Sequence, residues 1–243
     1  HTPGIYSLNR NYAAYTIEQV AGNIGFTLWD EQTVRRLLVE DPDLMPEYPA
    51  ERALKRGIDL AWGKRQITAS VTSGILQGKS VGKIATDLQD RIEGMNRSSA
   101  LRAARTAVTG AQNAGRYDSF RAARDMGIQF KIRWLATLDN KTRHTHAMLD
   151  GQQREVDEPF VVDGKRILYP GYSKVPYALA HLIYNCRCSI VAEDNIKYPG
   201  DIYERRAIDP ETGESVVIAD MTYQEWAAWK KAEDETAWNA YGH

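Results

Sequence analysis

Two short stretches hold most of the side chains able to do chemistry. Asp139-Asn140-Lys141-Thr142-Arg143-His144-Thr145-His146 gathers a carboxylate, an amide, two cations and two imidazoles into eight positions, and Asn185-Cys186-Arg187-Cys188 contains both cysteines of the chain. Alternate residues of an extended segment share a face, so Cys186 and Cys188 are expected to point the same way. If the two stretches meet, His144, His146, Cys186 and Cys188 offer two imidazoles and two thiolates, the donor set that tetrahedral zinc takes. A Cys-x-Cys pair bites more narrowly than the wider ligand spacing of most zinc modules. The other reading makes the cysteines small buried hydrophobes and the histidines hydrogen-bonding groups of a loop. A disulfide between positions one residue apart is strained, which leaves free or metal-bound thiols in a reducing compartment as the expectation. Gly-x-Ser-x-Gly, a glycine loop of the phosphate-cradling kind and His-Glu-x-x-His do not occur, and no catalytic constellation is read from the residues.

The elements that must position these stretches follow from apolar spacing. Leu54, Ile58, Ala61, Trp62, Val71 and Ile75 recur at helical intervals until Gly78. Ser80 caps a second helix whose stripe is Val81, Ile84, Ala85, Leu88 and Ile92. A longer third helix is expected over about 98–126, with Leu101, Ala104, Val108 and Ala111 inward and Gly127 as its stop. At Phe130 the period changes to two, since Phe130, Ile132, Trp134 and Ala136 alternate with Lys131, Arg133 and Leu135, the pattern of a half-buried strand. Asp163-Gly164 between two apolar runs marks a hairpin. A second hairpin joins Ala207-Ile208 to Val216-Val217-Ile218, and Thr222-Tyr223-Gln224-Glu225 reads as the capping box of a last helix on which Trp226 and Trp229 pack. The expected fold class is α+β: a helical N-terminal part, a small mixed or antiparallel sheet domain, and a C-terminal hairpin plus helix. The corresponding divisions are an aromatic-rich arm and linker at 1–48, a helical domain at 49–128, an α+β core at 129–193 and an acidic tail at 194–243.

The 243 residues are 43% hydrophobic and 26% charged, with a net charge of −1, enough for one or two packed domains. No apolar run approaches the roughly 20 residues of a membrane-spanning helix, and no membrane partner is expected. The chain starts at His1 without a basic-then-apolar leader, as a piece of a longer product would. Its neutral total conceals a split. Between Arg97 and Arg143 ten basic residues face three acidic ones, whereas from Glu193 onward twelve acidic residues face five basic ones. Arg102, Arg105, Arg116, Arg121 and Arg124 on the third helix are the candidate nucleic-acid contacts, and two solvated surfaces are the alternative. Arg105, Arg143 and Arg187 are also candidate anion ligands, set against ordinary structural pairing.

The ordered series Ala104-Arg105-Thr106, Trp134, Asp139 with Thr142-Arg143 and His146, Asp150-Gly151, Tyr169-Pro170-Gly171 and Asn185-Cys186-Arg187-Cys188 resembles the MuF-type minor head proteins of tailed bacteriophages, the phage head morphogenesis family. The resemblance covers roughly Ser80 to Ala192. It implies a virion protein of the phage head, assembled in the host cytoplasm, present in few copies and associated with the portal vertex, several around the portal, or with the head interior; portal or major capsid protein and phage DNA are the implied partners, with a part in DNA packaging or ejection. It implies no established catalysis, and zinc at the residues above is the one cofactor expected. The family's core is also similar to ADP-ribosyltransferases, which makes an enzyme of that kind the alternative, with Arg105 as the arginine that would bind NAD. Here Ala107 follows Thr106 where family members carry glutamate, and Glu155 and Glu158, the glutamates between Phe130 and Ala192, fall in what reads as a loop.

Overall fold

The computed structural model describes residues 60–92, 95–174, 179–193, 204–209, 212–229 and 231. The arm and linker of 1–48, the apolar positions Leu54 and Ile58, and Trp238 lie outside them. The described chain is α+β. Helices α1 (Leu60–Leu76), α2 (Val81–Arg91) and α3 (Arg97–Asp125) come first. They are followed by β1 (Lys131–Leu135), the short helix α4 (His144–Leu149), β2 (Gln153–Glu155), β3 (Phe160–Val162) and β4 (Lys165–Ile167). A single-turn helix α5 (Ala180–Ile183), β5 (Ser189–Glu193), β6 (Glu204–Ile208) and β7 (Ser215–Ala219) complete the order, before a closing helix over 223–229.

The Ser80 start and the Gly127 stop act as the sequence predicts, and α3 gains a cap at Asn96 beyond those expected from the sequence. Ser80 Oγ accepts from Lys83 N at the start of α2, and Asn96 Oδ1 accepts from Ser99 N at 2.9 Å at the start of α3. Gly127 turns left-handed just after α3 (φ 88°). Val71, Ile75, Ile84 and Leu88 pack against the alanine face of α3, from Ala100 to Ala111. Gly74 of α1 makes room for the Ile84 side chain of α2, since a Cβ on Gly74 would stand 2.5 Å from Ile84 Cγ1.

At 29 residues, α3 is about 43 Å long at 1.5 Å per residue. Its second half leaves the helical core and lies under the sheet, where Tyr117, Phe120 and Ala123 join Ile132, Trp134, Leu149, Phe160 and Ile190. The sheet is antiparallel, in the order β2-β1-β5, with Trp134 opposite Ile190. Ile132 and Trp134 are fully buried while Lys131, Arg133 and Leu135 are half-buried, which is the period-two pattern of the sequence realised in space.

The hairpin β3–β4 turns through Asp163 (φ 49°) and Gly164 (φ 70°), the two positive φ values that a tight hairpin turn needs. In the tail, β6 pairs with β7, and the capping box forms, Glu225 Oε2 accepting from Thr222 N at 2.6 Å and Thr222 Oγ1 from Glu225 N at 3.3 Å. Trp226 packs with Leu138 and Ala207 in a third small cluster. Trp229, expected to pack likewise, is 39% exposed, because this cluster spans little more than one turn of the closing helix. The expected loop 139–146 is part helix: α4 starts at His144, and Arg143 in the cap position makes no side-chain capping bond, so the sequence carries no start signal for it.

Candidate functional site

The site is assembled by α3. Four of its polar side chains, Arg105, Thr106, Thr109 and Asn113, recur along one side of the helix and reach the extended segment 185–190 rung by rung. Arg105 Nη1 donates to Asn185 Oδ1 at 2.7 Å, and Thr106 Oγ1 accepts from Asn185 N at 2.9 Å. Thr109 Oγ1 donates to the Cys186 carbonyl at 2.9 Å. Asn113 donates through Nδ2 to the Cys188 carbonyl at 3.1 Å and accepts through Oδ1 from Ile190 N at 3.2 Å. Thr106, Thr109 and Asn113 are buried, so these bonds satisfy backbone groups that water does not reach. Asn185 itself is left-handed (φ 57°), a conformation asparagine tolerates, and it starts the segment that leads into β5.

Held in this way, Cys186 and Cys188 turn their sulfurs to His146 on α4. His146 Nδ1 stands 3.1 Å from Cys188 Sγ and 3.6 Å from Cys186 Sγ, and the three atoms lie within 4.8 Å of one another, all in buried residues. His144 does not join them. Residues two apart on a helix are turned about 200° from each other, so once His146 faces inward His144 faces solvent, and it is exposed. The four-residue convergence the sequence allows is therefore three residues in the fold.

Arginines surround the cluster. Arg143 donates through Nη1 to the Tyr184 carbonyl at 2.8 Å and sits with Nη2 3.0 Å from His146 Nε2. A guanidinium only donates, which makes Nε2 the acceptor and leaves the ring proton on Nδ1, facing the sulfurs. Arg187 makes a two-pronged ion pair with Asp139, one prong at 2.9 Å, and Asp139 Oδ1 also accepts from Lys141 N and from the Thr142 hydroxyl. The Cys186 thiol is pulled well below its ordinary value by its hydrogen bond with Cys188, against the opposing effect of burial and with help from His146. Burial pushes the Cys188 thiol up, and so does the sharing of a proton with Cys186. Burial of Asp139 works to raise its carboxyl, but the Arg187 guanidinium and the donors from Lys141 and Thr142 outweigh it and hold the group below the usual carboxylate value.

Beside this cluster stands a second polar centre that the sequence did not reveal. Asp150 is buried, and its carboxylate accepts from Ala136 N at 2.6 Å, from Tyr223 N at 2.5 Å and from both arms of Arg205, at 3.1 and 3.2 Å. Arg205 donates further to the Ala136 and Met221 carbonyls, at 2.6 Å each. One buried ion pair thus joins the loop after β1 to the tail hairpin and the start of the closing helix. Its partners are 55 residues apart, and no spacing rule links them.

Residues 65–191 match the family model described as Phage Mu protein F like protein. The chain belongs to that family. It is 30% identical over 225 residues to Minor head protein GP7 of Bacillus phage SPP1, covering 90% of this chain and 67% of that protein. It is 29% identical over 198 residues to the NAD(+)--arginine ADP-ribosyltransferase EFV of Enterococcus faecalis, covering 79% of this chain and 40% of the enzyme. The chain therefore spans well under two thirds of the transferase. No solved structure matches it.

The motif series that carries the Mu F resemblance has a physical account in this fold. Ala104-Arg105-Thr106 packs an alanine into the helical core and offers two rungs to Asn185. Gly171 of Tyr169-Pro170-Gly171 lies flat on α3, where a Cβ on Gly110 would meet its carbonyl oxygen at 2.8 Å. Trp134 meets His146 edge-on, ring centroids 6.3 Å apart, and closes the floor beneath the cysteines. Arg105, which the resemblance offers to NAD, is half-buried and donates through Nη1 to Asn185. Of the other candidate nucleic-acid contacts, Arg121 and Arg124 both pair with Asp157, Arg102 is exposed with one long bond to Ser99 Oγ at 3.5 Å, and Arg116 is half-buried and engaged. Glu155 ends β2 beside Lys131, and Glu158 is exposed in the turn that follows. The basic middle and the acidic tail meet within the chain, since Arg133 pairs with Glu193 at 2.7 Å and with Asp220 at 2.9 Å. Among the described residues no helix is long and apolar enough to cross a membrane.

Proposed function

We propose that this chain works as a minor head protein of a tailed phage, held in several copies at the portal vertex or on the inner face of the head, where it assembles against portal or major capsid protein. The observation that carries the reading is the similarity to the SPP1 minor head protein, which extends over 90% of this chain and so includes the tail hairpin as well as the two cores. The architecture suits a scaffold: the polar side chains of α3 that lie nearest the cysteines bind backbone, and the carboxylates of Asp139 and Asp150 are fully engaged by their own partners. In this reading zinc, the metal that two thiolates and an imidazole suit, has a structural part. DNA inside the head is a further partner, reached through the exposed side of α3 where Arg102 stands, and such contacts weaken with salt because phosphate binding releases counterions. Transfer of ADP-ribose is the activity named for the enterococcal relative, of which this chain spans 40%.

The test is co-expression with portal protein and, separately, with major capsid protein, followed by co-purification and analysis of assembled heads. The expected result is a stable complex with at least one of them and incorporation into heads. A folded chain that associates with neither and is absent from particles refutes the proposal.

A further inference from the structure

The geometry points to a buried zinc site built from three ligands, His146 Nδ1, Cys186 Sγ and Cys188 Sγ, with His144 taking no part. This stands independently of the head assignment. A tetrahedral zinc ion, bonded at about 2.3 Å to sulfur and about 2.0 Å to imidazole nitrogen, separates S from N by about 3.6 Å and S from S by about 3.8 Å. His146 Nδ1 already stands 3.6 Å from one sulfur and 3.1 Å from the other, and no pair of the three exceeds 4.8 Å. One N–S distance is already that of a zinc site, and the other opens by about half an ångström as the sulfurs close on an ion.

Three further features support an ion there. The backbone that carries the sulfurs is immobilised on α3 by Thr109 and Asn113, so the ligands are fixed before any metal arrives. The indole N–H of Trp134, on the ring that meets His146 edge-on, is buried with no hydrogen-bond partner among the described residues. A buried donor left without a partner beside the ligands is a group that an outer-shell contact to a metal-bound thiolate satisfies. Finally, two thiolates and one Zn²⁺ sum to zero charge, the condition under which burial is least costly.

Loading releases the thiol protons to solvent and requires one rearrangement. With zinc on Nδ1 the ring proton must move to Nε2, where Arg143 Nη2 now donates, so the guanidinium turns away while keeping its bond to the Tyr184 carbonyl. The fourth position is left to water or a small anion. The two carboxylates that could activate such a water, Asp139 and Asp150, are committed to Arg187 and Arg205, so the ion acts as a staple between α4 and the segment before β5.

The experiment measures zinc per chain by elemental analysis of protein purified without chelator, and titrates chelator-treated protein with cobalt(II), whose bond to thiolate gives an intense near-ultraviolet charge-transfer band. One metal per chain and a band that saturates at one equivalent are expected. His144→Ala should leave both unchanged, Cys186→Ser should abolish the band, and His146→Ala should weaken binding at least tenfold. Since the cysteine variant can fail to fold, unfolding by urea of the unmodified chain is followed with and without zinc, and its midpoint should rise with the metal. A folded chain with no bound zinc and no cobalt band overturns the site, and dependence on His144 overturns the choice of ligands. Portal association is untouched by either outcome.

Discussion

Replacing Asn113 by alanine isolates the joint on which the site depends. The side chain serves three backbone groups: Nδ2 donates to the carbonyls of Thr109 and Cys188, both at 3.1 Å, and Oδ1 accepts from Ile190 N at 3.2 Å. Thr109 loses nothing essential, because the carbonyl of a mid-helix residue keeps its partner within the helix. The Cys188 carbonyl and the Ile190 N–H are left unpaired between α3 and β5, where Asn113 is 1% exposed. Each such orphan costs about 1 to 3 kcal/mol, so the pair is expected to cost about 3 kcal/mol. For a domain of this size that lowers Tm by about 6 to 12 °C. Equilibrium unfolding in urea, followed by the fluorescence of the tryptophans, measures the difference directly. Asn113→Asp separates the two bonds, because it keeps the acceptor for Ile190 and sets a carboxylate against the Cys188 carbonyl; it should be no more stable than the alanine variant. Arg102→Ala on the exposed side of the same helix is the control, with an expected change within about 0.5 kcal/mol. A loss below about 1 kcal/mol for Asn113→Ala refutes the claim that the α3 ladder holds the cysteine segment.

Arg205→Met should cost about 3 to 5 kcal/mol by stranding the Asp150 carboxylate in the interior, and hydrogen exchange in 204–219 should accelerate more than in β1; unchanged exchange there would show that the ion pair does not anchor the tail. The Asp139–Arg187 pair makes stability fall in acid. The Asp139 carboxyl lies lower in the folded chain than in the unfolded one, so its contribution is complete above the unfolded value and is lost as pH falls through the folded value. The difference in urea midpoint between the unmodified chain and Asp139→Asn should hence be constant near neutrality and shrink below about pH 4, and a difference independent of pH would refute it.

Much of the fold is legible from spacing because its determinants are local. The alternation from Phe130 to Ala136, the Asp163-Gly164 turn, the Ser80 cap and the Thr222 to Glu225 box each act within a few residues, and each appears in the structure at its expected place. The choice of chemistry-bearing residues is legible too, since cysteine and histidine announce themselves by type. What the sequence alone could not decide is which of them meet. His144 and His146 are equivalent as letters, and only the helical form of 144–149 separates them, by turning one to solvent. Arg105 is as basic as Arg102, yet one lies over Asn185, 80 residues away, and the other faces water. The pairing of Asp150 with Arg205 is likewise a product of the tail folding back onto the loop after β1. Hydrogen-bond partners across such separations are chosen by how the packed elements lie together, and a pattern read along the chain holds no record of that distance.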